Sequence, residues 1–386
     1  MAPTAIVTAP DADPGTTTAT AAAAAAADMA NPSLVVTKDG RIKMEDAPMA
    51  EPGPDEVLLH VRATGICGSD IHFWHHGRIG DITVEDDCIL GHEGAAEVLS
   101  VGSNVTHLKA GDRVAIEPGV SCGKCFLCVD GRYNLCQGVA FAGVFPHAGT
   151  AQRFKTHPAS HAHRLPPRVS FQTAALVEPL SVAMHALRTS PVTLGAPAAV
   201  FGAGPIGLLT MAVARASART PSSSRTSTRG GWRLRGGSSR AQGEGENDQE
   251  EDEVDEYHMP QVVLECTGVE SSIATAAYTA RRGGTVNVVG VSPRITIDNV
   301  PFMHMSLAEI KLLFINRYHD TWPAAIRAIE GGLIDAGKLD MMVTHRFRLE
   351  EAIEAMTLVG GKARPAGGDP VVKVQIVDDG ASPLGG

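Results

Sequence analysis

A glycine-rich turn between two apolar segments constrains the fold of this chain more than any other feature. Gly202-Ala-Gly204-Pro-Ile-Gly207 follows the short apolar run Ala198 to Phe201 and precedes an apolar helical stretch, Leu208 to Ala216. The first glycine permits a tight turn, the second lets the backbone approach a pyrophosphate, and the third lets helix pack on strand. Later strand-like runs, Val262 to Cys266 and Thr285 to Gly290, flank a helical stretch. This alternation predicts an α/β fold with a doubly wound parallel sheet.

The residues before this turn follow a different pattern. From Ser33 to about residue 180 the chain has many short strand-like runs, such as Glu56 to Arg62, with frequent glycines and few helical periods. This pattern predicts a small β-rich domain. Residues 1–32 are mainly Ala, Thr, Pro and Asp without a period, which predicts a disordered tail. The full length of 386 residues is sufficient for two domains.

Charge and hydrophobicity exclude several classes of partner. The net charge of -10 and the pI near 5.8 argue against a protein that binds nucleic acid through phosphate contacts. The longest uniform apolar stretch, Ala21 to Ala27, is far shorter than a membrane span, so no membrane contact is expected. No charged start followed by an apolar core precedes Arg41, the first arginine, so we expect neither a secretory nor a mitochondrial leader and predict a cytoplasmic protein.

Four of the seven cysteines lie within fifteen residues, as Cys122-x2-Cys125-x2-Cys128-x7-Cys136. Four thiolates on one tight loop can enclose Zn²⁺ tetrahedrally and leave no open position, which is typical of a structural zinc site. In a cytosolic chain, clustered cysteines are more often metal ligands than disulfides. An iron–sulfur cluster and cysteines that merely lie close together remain alternatives at this point.

A second set of metal-ligating residues is dispersed along the chain. Cys67 lies in a Gly-Ile-Cys-Gly-Ser-Asp segment, His92 and Glu93 lie in Gly-His-Glu-Gly, and Glu178 lies in Val-Glu-Pro-Leu-Ser. A catalytic zinc site needs about three protein ligands and one exchangeable position for water or substrate. Each residue alone is more simply read as structural. Their joint presence beside a four-cysteine loop favours a catalytic zinc site.

Together these motifs resemble those of the zinc-dependent medium-chain dehydrogenases, in the polyol dehydrogenase branch. The resemblance covers about residues 33–215 and 261–376, and it is closest to the fungal L-arabinitol 4-dehydrogenases. The segments that carry it are Gly65-Ile-Cys-Gly-Ser-Asp-Ile-His-Phe-Trp74, Glu178-Pro-Leu-Ser-Val-Ala183, Glu265-Cys-Thr-Gly-Val-Glu-Ser-Ser272 and Arg317-Tyr-His-Asp-Thr-Trp-Pro323.

The resemblance implies an architecture. A GroES-like catalytic domain is expected from residues 33–185 together with 320–386, around an NAD-binding Rossmann domain at 186–319. Such enzymes assemble as homotetramers, bind two zinc ions per subunit, use NAD and act on a small-molecule polyol. The resemblance thus implies a homotetrameric enzyme that oxidises a sugar alcohol to the ketose, with L-arabinitol as the favoured substrate.

The resemblance also implies roles for individual residues. Catalytic zinc is expected on Cys67, His92 and Glu93, with Glu178 bound directly or through water, and structural zinc on the four-cysteine loop. Ser69 and His72 are expected to relay the alcohol proton, and Glu178 to take part in catalysis. The residues expected at the cofactor are Gly202, Gly204, Pro205, Ile206, Gly207, Val289, Val291 and Arg317. Those expected at the substrate are Phe73, Arg317 and Tyr318.

One segment departs from the family pattern. Between Arg215 and Pro260 the only branched aliphatic residues are Leu234 and Val254, and the segment changes from arginine-rich to acidic. Neither half can bury an apolar face, so residues 216–260 are an anomalous low-complexity segment within the Rossmann domain. A second strand ending in Asp or Glu, which would bind the adenosine ribose, is expected here. No such strand or acid is evident in Pro221 to Arg233, and a central strand is expected to be missing.

A shifted reading frame accounts for this departure. One consistent choice of codons for Pro221 to Arg233, read one base earlier, gives Ile-Val-Val-Thr-Asp-Ile-Asp-Glu-Gly-Arg-Leu-Ala, which is an apolar strand ending in acids. A genuine low-complexity insert remains the alternative. Two alternatives to the favoured function remain. The enzyme could be a xylitol or sorbitol dehydrogenase, or the departure in this segment could mark an inactive homologue or a faulty gene model. NAD preference follows from the resemblance alone, because the ribose-binding acid is missing.

Overall fold

The computed structural model describes Ala26, residues 29–193, 195–217, 256–292, 296–361 and 370–384, and the backbone of 221–225. Most of the predicted tail and of the low-complexity segment lies outside these residues. The tail boundary predicted at residue 32 needs correction. Asn31 is buried, and its amide donates to Gln152 Oε1 and to the Phe154 carbonyl, each at 3.2 Å. The packed chain therefore includes residues upstream of Pro32.

The strands of the described residues are short, apart from two long ones in the first half of the chain. They are β1 (Pro32–Val36), β2 (Ile42–Asp46), β3 (Glu56–Gly65), β4 (Arg78–Ile79), β5 (Ile82–Thr83), β6 (Cys88–Ile89), β7 (Glu93–Val101), β8 (Arg113–Ile116), β9 (Gly119–Val120), β10 (Ala140–Phe141), β11 (Phe154–Pro158), β12 (Ala162–Arg164), β13 (Ala198–Phe201), β14 (Pro221–Arg225), β15 (Val262–Glu265), β16 (Thr285–Val288), β17 (Lys311–Phe314), β18 (Val343–Arg348) and β19 (Lys373–Val377).

The helices of the described residues lie mainly after residue 170. They are α1 (Gly68–His76), α2 (Phe126–Val129), α3 (Phe171–Ala174), α4 (Val177–Thr189), α5 (Pro205–Ala216), α6 (Glu270–Thr279), α7 (Phe302–Leu307), α8 (Trp322–Glu330), α9 (Ala336–Met342) and α10 (Ala352–Val359). Short 3-10 turns cover Tyr133–Leu135, Ala159–His161, Glu256–His258 and Leu349–Glu351. Within the described part of the chain, no helix combines the length and apolar character needed to cross a membrane.

The first large sheet joins the two ends of the chain. Its order is β12-β8-β7-β3-β19-β18, and β11 also pairs with β3. The long strands β3 and β7 run antiparallel, and their register places Gly65 opposite Glu93. On the other side of β3, the C-terminal strand β19 pairs antiparallel, with Gln375 opposite Gly65. One end of this sheet therefore brings together the chain just before Cys67, the start of β7 and the start of β19.

The second large sheet is parallel, with the order β14-β13-β15-β16-β17. The strands predicted around 198–201, 262–265 and 285–288 are confirmed. From β13 the chain continues to β14 on one side and returns to β15 on the other. The order therefore reverses between β13 and β15, and in doubly wound sheets such a switch point forms the ligand crevice at the carboxyl ends of the strands.

The prediction that no strand forms in Pro221 to Arg233 is wrong for the first five residues. The backbone of β14 pairs parallel with β13, with Ala198 opposite Pro221 and Phe201 opposite Arg225, and the register shifts after Ala198. Ladder bonds are made by backbone groups, so a polar sequence can supply them where the neighbouring strand offers an edge. In the described residues β14 is the last strand on its side of the sheet, not a central one.

Helix α4 connects the two sheets. It packs against α5 and α8 and contacts β7. Its apolar side chains Val177, Leu180, Ala183 and Leu187 are buried in one cluster with Leu209 of α5 and Trp322 of α8. Burial of this face at roughly 25 cal/mol per Å² of apolar surface stabilises the helix against the β-rich sheet. Glu178 in the first turn of α4 is thereby held at the boundary between the sheets.

Candidate active site and metal centres

The predicted ligands Cys67, His92 and Glu93 form one cluster. One ligand atom from each lies within 4.8 Å of the other two. Cys67 is the N-cap residue of α1, just past the end of β3, whereas Glu93 begins β7. The antiparallel pairing of β3 with β7 brings these positions side by side. His92 and Glu93 are almost fully buried, whereas Cys67 is partly exposed. A thiolate, an imidazole and a carboxylate that converge in this way fit an open zinc site.

A buried carboxylate orients the imidazole of this cluster. Asp70 Oδ1 lies 3.5 Å from His92 Nδ1, and Asp70 Oδ2 accepts a hydrogen bond from the Cys67 backbone N–H at 2.9 Å. Burial alone would lower the pKa of His92, but the Asp70 carboxylate outweighs it and raises the pKa well above the ordinary value. Asp70 therefore both caps α1 and leaves Nε2 as the His92 nitrogen that is free for a metal.

A buried ammonium group also contacts the cluster. Lys373 Nζ forms an ion pair with Glu93 Oε2, and both side chains are at most 3% exposed. Burial alone would lower the pKa of Lys373, but the Glu93 carboxylate outweighs this effect and raises it. The C-terminal strand β19 thus supplies a fixed positive charge beside the proposed metal ligands.

Glu178 lies within electrostatic reach of the same groups. Burial, assisted by Glu93 and opposed by His92 and Lys373, raises the pKa of Glu178 to about 7. A carboxyl group with such a pKa gains or loses a proton near neutral pH, which suits acid–base chemistry. The structure therefore places Glu178 near the cluster, although not among the three residues whose ligand atoms lie within 4.8 Å of one another.

The three remaining residues predicted on α1 have different surroundings. Ser69 Oγ lies 3.4 Å from His92 Nε2, so this hydroxyl faces the metal ligands. The ring of His72 stacks on His76 at 5.7 Å, and burial together with His76 and His75 lowers its pKa. Phe73 is only 3% exposed and packs in an apolar cluster with Leu90 and other core residues. The side chain of Phe73 therefore packs in the core at the end of α1, and its predicted contact with a substrate stays a prediction.

Arg317 and Tyr318 lie beside the cluster. The Arg317 guanidinium lies 3.8 Å from the centroid of the Phe141 ring, and this ring lies 5.7 Å from that of His92. Arg317 has φ of 56°, a left-handed conformation that costs a non-glycine residue energy and is common at functional sites. Both residues line a small cavity with Tyr133 and Asn134. This placement suits a residue that contacts substrate or cofactor.

The four predicted structural-zinc ligands also converge. Their sulfur atoms lie within 4.8 Å of one another, with Cys125 and Cys128 at 3.5 Å and Cys122 and Cys128 at 3.9 Å. Sulfurs bound about 2.3 Å from one tetrahedral zinc ion lie about 3.8 Å apart, so the cluster fits this metal. Backbone N–H groups of Lys124 and Cys125 lower the pKa of Cys122 to about 6, whereas burial and Cys125 raise the pKa of Cys128 to about 11.

The predicted nucleotide turn has the geometry of a phosphate cradle. Gly202 follows β13 with φ of 103°, and a Cβ on Gly207 would lie 2.0 Å from the Gly202 carbonyl oxygen. No described atom lies within 4 Å of the place where a Cβ of Gly204 would be, so this turn faces open space. Pro205 and Ile206 begin the twelve-residue helix α5. An open glycine turn at a helix N-terminus fits the pyrophosphate of a dinucleotide.

The ribose part of that site lies largely outside the described residues. β14 ends at Arg225, and the residues that follow lie outside the described ranges. The fit to NAD therefore depends on the pyrophosphate turn and the neighbouring strand ends. Val289 is buried and Val291 is exposed after β16. Gly290 between them lies so close to Gly268 that a Cβ would approach the Gly268 nitrogen to 2.0 Å. The valines therefore flank a glycine that lies against the chain just past the end of β15.

Sequence reasoning missed three residues of the site. Asp70 had a signal, because an acid three residues after a helix N-cap is a capping pattern. Lys373 had a weaker one, as a lone cation in the strand-like run Val371 to Val377. Phe141 had none, because its place beside His92 depends on the path of the loop after the four cysteines.

Comparison with known proteins identifies the family. The family model described as the alcohol dehydrogenase GroES-like domain matches residues 53–167. Sorbitol dehydrogenase of Gallus gallus is 41% identical over 334 residues, which cover 84% of this chain and 92% of that protein. L-arabinitol 4-dehydrogenase of Aureobasidium melanogenum is 43% identical over 345 residues, which cover 85% of this chain and 89% of that protein.

Solved structures agree on the fold. A zinc-binding dehydrogenase from Sinorhizobium meliloti 1021 bound to NADP superposes with a TM-score of 0.74 at 25% identity, over 91% of this chain and 100% of that one. L-idonate 5-dehydrogenase from Escherichia coli gives a TM-score of 0.76 at 22% identity, over 91% and 99%. The chain therefore belongs to the zinc-dependent medium-chain dehydrogenases, in the branch that contains the sorbitol and L-arabinitol 4-dehydrogenases.

Proposed function

We propose that this protein oxidises a sugar alcohol, with L-arabinitol favoured, to the ketose and transfers the hydride to NAD. The observation that carries the proposal is the buried convergence of Cys67, His92 and Glu93 beside Glu178. The names of relatives more than 40% identical support a polyol as the substrate class.

The residues around the cluster divide the work of such a reaction. Cys67, His92 and Glu93 would hold a zinc ion, which would supply the Lewis acid that lowers the pKa of a secondary hydroxyl, and a bound NAD would serve as the hydride acceptor. Ser69, which faces His92, would take the hydroxyl proton, and His72 at the partly exposed face of α1 would pass it to solvent. Arg317 would position the polyol or the cofactor. The turn from Gly202 to Gly207 would bind pyrophosphate.

A panel of polyols tests the substrate. L-arabinitol, xylitol and sorbitol should be compared by kcat/KM with the same enzyme preparation, and Cys67→Ser serves as the inactive control. Preference for L-arabinitol supports the proposal. A preference for sorbitol, which the Gallus gallus relative makes the second candidate, or for xylitol would replace the substrate but keep the enzyme class.

The state of the cofactor domain, which we place at residues 186–319, needs its own test. The chain as written and a variant that carries the shifted reading of residues 221–232 should be compared by melting temperature with and without NAD, and by polyol-dependent NADH formation. We expect weak NAD binding by the chain as written, because a ribose without a carboxylate loses a charged hydrogen bond worth a few kcal/mol. Equal binding and turnover by both would contradict the frame-shift hypothesis. No NADH formation by either would favour an inactive homologue.

We also propose a cytoplasmic homotetramer, with a GroES-like domain from residues 33–185 and 320–386. All seven cysteines are free, which suits a reducing compartment. Large exposed apolar side chains support subunit contacts: Phe302, Met303, Leu307 and Phe314 near the edge strand β17, and Phe126 and Val129 on the four-cysteine loop. Two separate apolar areas per subunit fit a dimer of dimers. Sedimentation equilibrium of the zinc-loaded chain tests this assembly.

A further inference from the structure

Lys373 occupies a place where a lysine is rarely found. It is the first residue of β19 and is 3% exposed. Its Nζ contacts Glu93 Oε2 and donates a hydrogen bond to the Ile66 carbonyl oxygen at 2.9 Å. Lysine is almost never buried without a partner, and the desolvation of both charges is costly. A buried ion pair by itself is weak evidence that the pair stabilises the fold. Its position beside the ligand cluster therefore favours a functional role.

The backbone around this pair is shaped to admit it. A Cβ on Gly65 would lie 2.0 Å from Glu93 Oε2 and 2.9 Å from Lys373 Cε. Gly65 is opposite Glu93 in one ladder, and the adjoining ladder of β19 pairs with the same end of β3. Only glycine leaves space for the two side chains to meet here. Three strands from distant parts of the chain therefore converge on one carboxylate oxygen.

The pair also changes what Glu93 can offer to a metal ion. A carboxylate has two oxygens and binds a metal through one or both of them. If both bound, the carboxylate would fill the position that an open zinc site keeps for substrate. An ammonium held on Oε2 makes that oxygen less available to a metal through its positive charge. It also offsets part of the negative charge that Glu93 brings to the site.

We propose that Lys373 is a positioning residue that holds Glu93 Oε2, so that Glu93 offers the metal a single oxygen and the fourth position stays open. Lys373 exchanges no proton or electron in the reaction. The inference rests on the proposed function, because it takes Cys67, His92 and Glu93 as ligands. It assigns the C-terminal strand a direct part in the shape of the metal site.

The test uses the full-length chain with cobalt as a probe of the open site. A chelator removes the metal of a three-ligand site before that of a closed four-cysteine site, after which Co²⁺ is added to the open site alone. The visible spectrum reports the coordination number, and imidazole, titrated in without NAD, reports access to the fourth position. Lys373→Met keeps the length of the side chain without its charge, whereas Lys373→Arg keeps the charge. Lys338→Met, on the exposed surface of α9, is the matched control.

We expect Lys373→Met to weaken imidazole binding by about 10–100-fold, the usual effect of losing a partner of a metal ligand. Its visible absorption should fall, because five-coordinate Co²⁺ absorbs less than tetrahedral Co²⁺. Lys373→Arg should restore much of both, and Lys338→Met should resemble the parent. If Lys373→Met fails to fold, Lys373→Gln, which keeps a neutral donor, is measured in the same way with the same expectation.

Two results would count against the inference: one would overturn the role of Lys373, and the other would overturn the proposed metal ligands. A lowered melting temperature with unchanged cobalt spectrum and imidazole affinity would make Lys373 purely structural and would overturn its positioning role. Absence of any Cys67-dependent cobalt signal in the parent chain, judged against Cys67→Ser, would overturn the proposed ligand set, and with it the proposed function.

Discussion

The two metal-ligating clusters of this protein are built in opposite ways. The four-cysteine cluster takes all its ligands from the loop Cys122 to Cys136, and Cys122 is exposed. The Cys67 cluster takes its ligands from two strand ends and is completed by Lys373, about three hundred residues further along the chain. The loop has little apolar support of its own, since Phe126 and Val129 are 74% and 77% exposed.

This difference predicts which cluster depends on its metal. The ligands of the Cys67 cluster are held by a seven-stranded sheet, so their placement rests on backbone pairing. The four-cysteine loop has no such support, so metal binding supplies much of its folding free energy. Loss of the metal from the Cys67 cluster should therefore remove activity, and loss of the metal from the four-cysteine loop should lower the stability of the fold.

The largest effect is expected from the Cys67 cluster. Cys67→Ser or His92→Ala should reduce kcat on the order of 10³-fold or more, because a Lewis acid contributes several kcal/mol to the transition state. The melting temperature should change little, because β3 and β7 remain paired. Steady-state kinetics and thermal unfolding check this, with His147→Ala on the exposed surface as the control. Substantial turnover by either variant would show that the ligands are misassigned.

Cys125→Ser should lower the stability of the protein and leave its activity largely unchanged. We expect zinc to fall from two ions to one per subunit and the melting temperature to drop by about 10 °C, since several kcal/mol are lost at roughly 2–4 °C per kcal/mol. Turnover of the protein that remains folded should be largely kept. Lys124→Ser in the same loop controls for local effects. An unchanged melting temperature and an unchanged zinc content would contradict the structural assignment.

The same contrast explains how far sequence reasoning reached. The four-cysteine site was predictable in full, because its spacing carries the geometry. For the Cys67 site the ligands were found through short motifs, but Asp70 and Lys373 were not, since their contacts depend on strand register. Phe73 packs in the core, a contact that its motif does not signal, and its predicted contact with a substrate stays a prediction. In the Rossmann region the apolar strands were predictable, whereas β14 is held by backbone pairing that its polar side chains do not signal.

Asp70 offers a finer test of the dispersed site. Asp70→Asn keeps an acceptor for the Cys67 N–H but removes the charge beside His92. We expect kcat/KM and zinc affinity to fall by about 10–100-fold, because partners of metal ligands have effects of this size. The melting temperature should be nearly unchanged. Asp81→Asn, in an exposed turn, is the control. A lower melting temperature with normal kinetics would show that Asp70 serves only as a helix cap and does not orient His92.

The smallest effect separates metal loss from ordinary acid sensitivity. Both clusters should lose metal in acid as their ligands protonate. His157 lies outside both clusters, but it also makes the stability of the fold depend on pH in the acidic range. It is buried, and its Nε2 lies 2.9 Å from the Glu117 carbonyl oxygen. Burial, assisted by Lys155, His161 and His163, lowers the pKa of His157 to about 3.

The sign of the His157 effect follows from its depressed pKa. Between about pH 6.5, the value for an unfolded histidine, and pH 3, the unfolded chain binds a proton that the folded chain rejects. This contribution to stability is complete above pH 6.5 and falls with pH, by about 2 kcal/mol at pH 5.

The variant His157→Gln tests this effect, because it keeps an N–H donor for the Glu117 carbonyl oxygen but has no group that titrates. Between pH 7 and pH 5 the melting temperature of the parent should therefore fall further than that of this variant. If the variant retains the full acid sensitivity of the parent, while zinc content stays constant, the loss belongs to groups other than His157. The acid sensitivity that remains after this correction, measured with and without bound zinc, is the part that either metal cluster can explain.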